Sequence, residues 1–258
     1  MLRSVMVEMG DSPQAIAAMD TALWLSKTFG AQLHALTCLD ERSVQSEHIR
    51  RMLEEHIRER QAGFEERCRK AGVECVNDME VGDPHEAMVH LSRKSDLLVL
   101  GSPPDPGAEA RGFSSAATSL ARDAVRHVLV VRDQAPTFKT IVVGYAGREN
   151  SCNALQISAH IAEKAGGTIH LVTSDNEVAE AGAILSVGLE YLKAYKVNAV
   201  PHQESQEPTN VLLKTVKDVG ADLIAIGDYR RNKLSLLAFG DTAQRILDWC
   251  PCAVLICR

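Results

Sequence analysis

The sequence predicts two tandem α/β domains of Rossmann-like type, each a five-stranded parallel sheet with helices on both faces. Three observations carry this. Short apolar runs of strand length alternate with longer segments whose apolar residues recur at helical spacing, the order that builds a parallel sheet covered on both sides. That order then occurs twice. Gly30-Ala31-Gln32-Leu33-His34-Ala35-Leu36 matches Gly166-Gly167-Thr168-Ile169-His170-Leu171-Val172, and Val5-Met6-Val7 matches Ile141-Val142-Val143, both 136 residues on. Asp96-Leu97-Leu98-Val99-Leu100-Gly101 matches Asp222-Leu223-Ile224-Ala225-Ile226-Gly227, and Val128-Leu129-Val130-Val131-Arg132 matches Val254-Leu255-Ile256-Cys257-Arg258, both 126 residues on. The first copy thus holds ten extra residues between Leu36 and Asp96. The length of 258 residues suits two domains of ordinary size. Asp133-Gln134-Ala135-Pro136-Thr137 reads as the linker, giving domains 1–134 and 137–258.

In the first copy Val5 to Val7 is a strand. Pro13 to Phe29 is a helix with Ile16, Met19, Leu23 and Ser26 at helical spacing, closed by Gly30 as a C-cap. Leu33 to Leu39 is the second strand. Glu47 to Ala71 is a long amphipathic helix with Ile49, Leu53, Ile57, Phe64 and Cys68 on one stripe, ending at Gly72. Val73 to Val76 is the third strand, Pro84 to Arg93 a helix, Leu97 to Leu100 the fourth strand, Ser115 to Arg126 a helix and Val128 to Val131 the fifth strand. The second copy repeats the order, and its shorter helix near Ala179 to Tyr195 locates the ten-residue difference.

Composition excludes several function classes. A net charge of -6 argues against a nucleic-acid partner, which needs a clustered positive face. The apolar runs are too short to cross a bilayer, which needs roughly 18 to 20 residues. Met1 to Glu8 lacks the apolar stretch of a signal peptide, so the expectation is a cytoplasmic protein without a membrane partner. Seven cysteines, at 38, 68, 75, 152, 250, 252 and 257, are scattered without a Cys-x-x-Cys pair and read as small core residues.

The closing stretch from Gly240 to Arg258 resembles the last helix and strand of universal stress proteins, in which Gly-Ser or Gly-Thr opens the helix and an Ala-Pro-Cys-Pro-like turn leads into a Val-Leu-Val-Val strand. Gly82-Asp83-Pro84 and the Asp-Leu strands at Asp96 and Asp222 are similar to other landmarks of that family, and the resemblance covers both halves. ATP-binding members carry an acidic residue in an Asp-Gly-Ser-like turn after the first strand. They also carry Gly-x2-Gly-x9-Gly-[Ser/Thr] after the fourth, where backbone and helix start face the phosphates. The positions matching that site here are Asp11, Gly101, Ser114 and Ser115 in the first copy. In the second they are Ala146, Gly227, Arg230, Gly240, Asp241 and Thr242.

Both features have diverged. The first turn reads Gly10-Asp11-Ser12 and Ala146-Gly147-Arg148, with no carboxylate in register; Asp11 sits one residue late and reads as a turn or N-cap residue. The second reads Gly-x2-Pro-x9-Ser-Ser in the first copy, where Pro103 and Pro104 stiffen the approach, and Gly-x2-Arg-x9-Gly-Asp in the second. Asp241 at a helix start neutralises the positive end and repels a phosphate.

Other constellations have plainer readings. Arg230, Arg231 and Lys233 read as a solvated loop rather than a phosphate clamp. His85 and His90 fall on different sides of their helix and suit no zinc site. Cys250, Cys252 and Cys257 are read as core rather than thiolate ligands, since strand alternation separates Cys252 from Cys257. His34 and His170, equivalent in the repeat, suit a ligand contact and strand-end histidines bonded to backbone carbonyls equally well, and His127 stays open in the same way. No nucleophile elbow or catalytic triad order stands out.

The resemblance therefore implies a non-enzymatic, stress-associated binding or regulatory protein with degenerate nucleotide motifs and no expected cofactor. The alternatives are an ATP-binding switch with slow hydrolysis in one copy and a binder of an apolar small molecule. It further implies that the two final strands pair antiparallel in a pseudo-twofold sandwich within one chain, with association into a homodimer beyond that.

Overall fold

Strands with apolar residues on both faces belong inside a sheet with both faces covered. Val5 and Val7 of β1 (Ser4–Glu8) turn to one face, Met6 to the other, and all three are completely buried. The computed structural model of the chain describes residues 2–40, 42, 44, 46–102, 113–174, 178–228 and 241–258. In the first half β1 is followed by α1 (Pro13–Phe29), β2 (Gln32–Leu39), α2 (Glu47–Ala71), β3 (Cys75–Val81), α3 (Pro84–Leu91), β4 (Leu97–Gly101), α4 (Ser115–Asp123) and β5 (His127–Val131). The second half runs β6 (Thr140–Gly144), α5 (Glu149–Ala165), β7 (Thr168–Ser174), α6 (Val178–Leu192), β8 (Asn198–Glu204), α7 (Pro208–Val219), β9 (Leu223–Gly227), α8 (Asp241–Trp249) and β10 (Ala253–Cys257). Helix α2 has 25 residues and α6 has 15, which accounts for the unequal copies.

The ten strands form one sheet in the order β3-β2-β1-β4-β5-β10-β9-β6-β7-β8. Every neighbouring pair is parallel except one. β5 and β10 run antiparallel, with Val130 opposite Val254, Leu129 opposite Leu255 and Val128 opposite Ile256. The expected sandwich is thus corrected to a continuous sheet: edge-to-edge pairing lengthens a sheet instead of stacking two. Each half covers the other's last strand, so the two remaining edges are β3 and β8.

One apolar core spans both halves on the face covered by α1, α2, α5 and α6. A second lies under α3, α4, α7 and α8. Ser12 caps α1 by accepting from the Ala15 N–H at 3.1 Å, and Gly30 ends it at a φ of 64°, where a side chain is disfavoured.

Several element readings shift. Ile16 is exposed rather than core-facing, while Met19 and Ser26 are buried as the spacing suggests. The third strand is Cys75–Val81 rather than Val73 to Val76, because Leu33 to Leu39 of β2 pair with it along its whole length. The helix expected from Ser115 to Arg126 stops at Asp123, where Ala124 turns to an extended conformation with ψ of 143°. Cys152 is exposed, so not every cysteine is a core residue. The linker is firmly seated: Asp133 accepts from Gln14 Nε2 at 3.0 Å, and buried Phe138, just past it, packs on Trp24 with ring centroids 4.8 Å apart. Among the described residues no helix is long and apolar enough to cross a membrane.

Candidate functional site

Parallel strands with crossover helices leave a crevice at their carboxyl ends, where open α/β sheets bind ligands. In the first half that crevice lies after β1 and β4. Helix α1 packs so closely on the end of β4 that a Cβ at Gly101 would run into the Gln14 carbonyl. The next residue, Ser102, is completely buried; its Oγ accepts from the Ser114 N–H at 2.9 Å and lies 3.1 Å from the Ser114 Oγ. Ser114 is the N-cap of α4 and accepts from the Ala117 N–H at 3.3 Å, with Ser115 exposed beside it. Ser102, the residue after Gly101, is the one that meets Ser114.

Asp11 does not join them. The residue that caps α1 is Ser12, and Asp11 instead turns outward to α2, where Arg60 Nη2 lies 2.7 Å and His56 Nε2 3.1 Å from its Oδ2. The acid left at the end of β1 is Glu8. Among the described residues it has neither hydrogen-bond nor ion-pair partner, and burial raises its pKa above the ordinary value of 4.5. Sequence reasoning passed over Glu8 because it closes an apolar run; an acid directly after three fully buried strand residues was the available signal.

In the second half the described residues after β6 are closely packed. Tyr145, following β6, is buried beneath α6, and a Cβ at Gly188 would lie 2.8 Å from its ring. Burial, together with the Cys152 thiol, pushes the Tyr145 phenol up to about 12. Ala146 and the Arg148 backbone both donate to the Ser151 Oγ, at 3.2 and 3.0 Å, which winds this loop onto the start of α5. Beyond Gly227, a Cβ on which would meet the Ser151 nitrogen at 2.5 Å, stands Asp228. Its carboxylate is 1% exposed and faces Arg258 Nε at 3.4 Å. Asp241 and Thr242 open α8. Pro103, Pro104, Arg230, Arg231, Lys233 and Gly240 lie outside the described residues. Tyr145, Asp228 and Arg258 were missed because their roles depend on contacts across elements.

The paired histidines are bonded to side chains rather than to backbone carbonyls. His34 Nδ1 lies 3.0 Å from Asp78 Oδ2, and His170 Nδ1 lies 2.9 Å from His202 Nε2. His127 Nδ1 accepts from the Arg258 N–H at 3.0 Å. His85 lies 2.9 Å from Asp123 on α4. Among the described residues no group of three His, Cys, Asp or Glu side chains could hold a metal ion.

A cavity of about 170 Å³ opens elsewhere, at the amino ends of the first half's strands, where α1 meets α5. Leu2, Phe29, Asp96, His127, Gln156 and His160 are among the residues that line it. At the counterpart in the repeat, Phe138 and Trp24 stand where Leu2 and His160 stand here, with ring centroids 4.8 Å apart.

The profile of the universal stress protein family matches residues 1–132 and 174–258. The structure is similar over 99% of its length to a universal stress protein from Archaeoglobus fulgidus, covering 98% of that chain with a TM-score of 0.81 and 18% identity. It is also similar to a Pseudomonas aeruginosa protein described as a universal stress protein, with a TM-score of 0.74, 17% identity and coverage of 99% and 93%. A functionally unknown protein from the same species gives 0.72, 18%, 99% and 92%. No curated protein matches the sequence. At these identities the likeness of the structures is one of fold.

Proposed function

Because this chain belongs to the universal stress protein family, we propose that it is a cytoplasmic stress-response protein that acts by binding and regulation, catalyses no reaction and does not depend on ATP. The carrying observation is Tyr145. Its ring is buried under α6 just past β6, and α6 approaches it so closely at Gly188 that even a Cβ would collide, which argues against a base and sugar there. Two further features support the reading. Asp241 places a carboxylate at the start of α8, and Asp11 is held by Arg60 and His56 away from the first crevice. The domains 1–134 and 137–258 act as one unit, since β5 and β10 occupy each other's edges. A homodimer would then form through other surfaces.

The test is nucleotide content. Protein purified without added nucleotide is heat-denatured, and the supernatant is measured by absorbance and mass spectrometry, then ATP is titrated calorimetrically. No nucleotide and no heat of binding at millimolar ATP are expected. Stoichiometric ATP or ADP overturns the reading.

A second reading, ATP held by the first half alone, is favoured by the meeting of Ser102 and Ser114 at the start of α4. Ser114→Asp discriminates it, because a carboxylate there abolishes phosphate binding while still capping the helix. An apolar ligand has less support: the cavity at the opposite strand ends has Asp96, His127, Gln156 and His160 in its walls.

A further inference from the structure

The turn into β10 is Cys250-Pro251-Cys252. Cys250 is completely buried after the end of α8 and donates its N–H to the Ile246 carbonyl at 2.8 Å, while Cys252 is half-buried. Their Sγ atoms lie 3.5 Å apart, in van der Waals contact. Pro251 fixes its own φ, so the turn that brings the sulfurs face to face is held before any bond forms between them. Their electrostatics differ. The hydrogen bond from the Cys252 thiol, helped by the Cys252 N–H and last by the Arg132 guanidinium, holds Cys250 below the usual thiol range against its burial; the same hydrogen bond and burial push Cys252 far up.

Packing alone does not call for two thiols here. Arg132 Nη2 donates to the Cys250 carbonyl at 2.7 Å, and 126 residues on in the repeat Arg258 donates to the Ala124 carbonyl. These are two equivalent clasps across the β5–β10 seam. One is built on Ala124-Val125-Arg126 and the other on Cys250-Pro251-Cys252, so the backbone needs no sulfur to make the turn.

We propose that Cys250 and Cys252 are a reversible redox dithiol that closes to an intramolecular disulfide by exchange with a low-molecular-weight disulfide such as oxidised glutathione. The half-buried Cys252 sulfur attacks one sulfur of the incoming disulfide while its proton passes to the Cys250 sulfur 3.5 Å away. A mixed disulfide forms, the incoming S–S bond breaks and one thiolate leaves. The Cys250 sulfur then attacks the Cys252 sulfur, the second thiolate leaves, and the protein disulfide is complete. Two protein thiols are oxidised, one small disulfide is reduced to two thiols, and those thiols carry away both protons. The disulfide locks the clasp that Arg132 holds.

The full-length protein is equilibrated with reduced and oxidised glutathione at several ratios, quenched with acid, alkylated and digested with trypsin. The expected result is the loss of two alkyl groups and two further hydrogens from the peptide spanning 246–258, with fragmentation placing the bond between Cys250 and Cys252 and dithiothreitol reversing it. Cys252→Ser and Cys250→Ser each abolish this loss, and Cys257→Ser keeps it. The wild-type fragmentation stands without the variants should one of them fail to fold. A wild-type peptide that stays fully reduced in oxidised glutathione overturns the proposal. So does a bond to Cys257, or a glutathione adduct on Cys252 that never resolves.

Discussion

Arg258 and Asp228 form a buried ion pair beside the seam, with Arg258 Nε 3.4 Å from Asp228 Oδ2 and side-chain exposures of 12% and 1%. The same guanidinium donates to the carbonyls of Ala121, Arg122, Ala124 and Arg126, so an arginine from the second half closes the end of the first half's α4. Helix ends leave carbonyls without intrahelical partners, and one planar cation here satisfies several at once. Removing it leaves a buried carboxylate and bare carbonyls together. Arg258→Ala should lower the free energy of unfolding by about 3–5 kcal/mol in urea. A loss below about 1 kcal/mol would mean that the pair contributes no more than an exposed one.

Phe138 stands just past the linker with a φ of 57°, a conformation that disfavours a side chain, yet it is only 2% exposed and packs on Trp24. The aromatic contact holds the strained backbone in place. Phe138→Ala should cost about 3–5 kcal/mol and shift Trp24 fluorescence to the red. Unchanged emission together with unchanged stability would show that the linker is held by other contacts.

Leu129 and Leu255 lie opposite each other at the middle of the only antiparallel strand pair among the described residues. Each strand also has a parallel neighbour on its other side, so proline at either position strikes the sheet's interior. Leu129→Pro and Leu255→Pro should each cost about 3 kcal/mol or more and expand the scattering profile. Wild-type melting and compactness in both variants would refute the pairing.

Glu8 carries a raised pKa because burial disfavours its charged form. Its contribution to stability is therefore full below pH 4.5, its unfolded value, and is lost as pH rises through the higher folded value. Glu8→Gln should stabilise the protein at pH 7 and change little at pH 4. Equal effects at both pH values would place the Glu8 carboxylate in water.

His127 has the opposite sign. Burial, and after it the Arg258 charge, lowers its pKa from 6.5, although Asp96 acts against the shift. The neutral ring is the form that accepts the Arg258 N–H, so the stability it confers is present above pH 6.5 and declines as pH falls through the lower folded value. His127→Asn should flatten the melting temperature between pH 7 and 5. A wild-type slope in the variant would assign the acid sensitivity to other groups, His170 first among them.

Strand and helix order, the repeat and the unequal second helices were legible because each is written in local periodicity. Boundaries slipped where tertiary contacts decide them. Asn77, Asp78 and Glu80 look like loop residues, yet pairing with β2 draws them into β3, an edge strand with a single neighbour. Ile16 fits the helical stripe of α1 but lies in its first turn, where it is exposed. At the site, the resemblance pointed to Gly101 and Ser114, but it is Ser102 that meets Ser114. The outward turn of Asp11 was not legible either, because it depends on Arg60, which is 49 residues away on α2.

The antiparallel seam also fixes polarity. Reversing direction between β5 and β10 points the carboxyl ends of the two sets of parallel strands toward opposite poles of the molecule. No single small ligand can span both ends of the sheet. The molecule is therefore two-ended, the loops after the strands of one half facing away from those of the other.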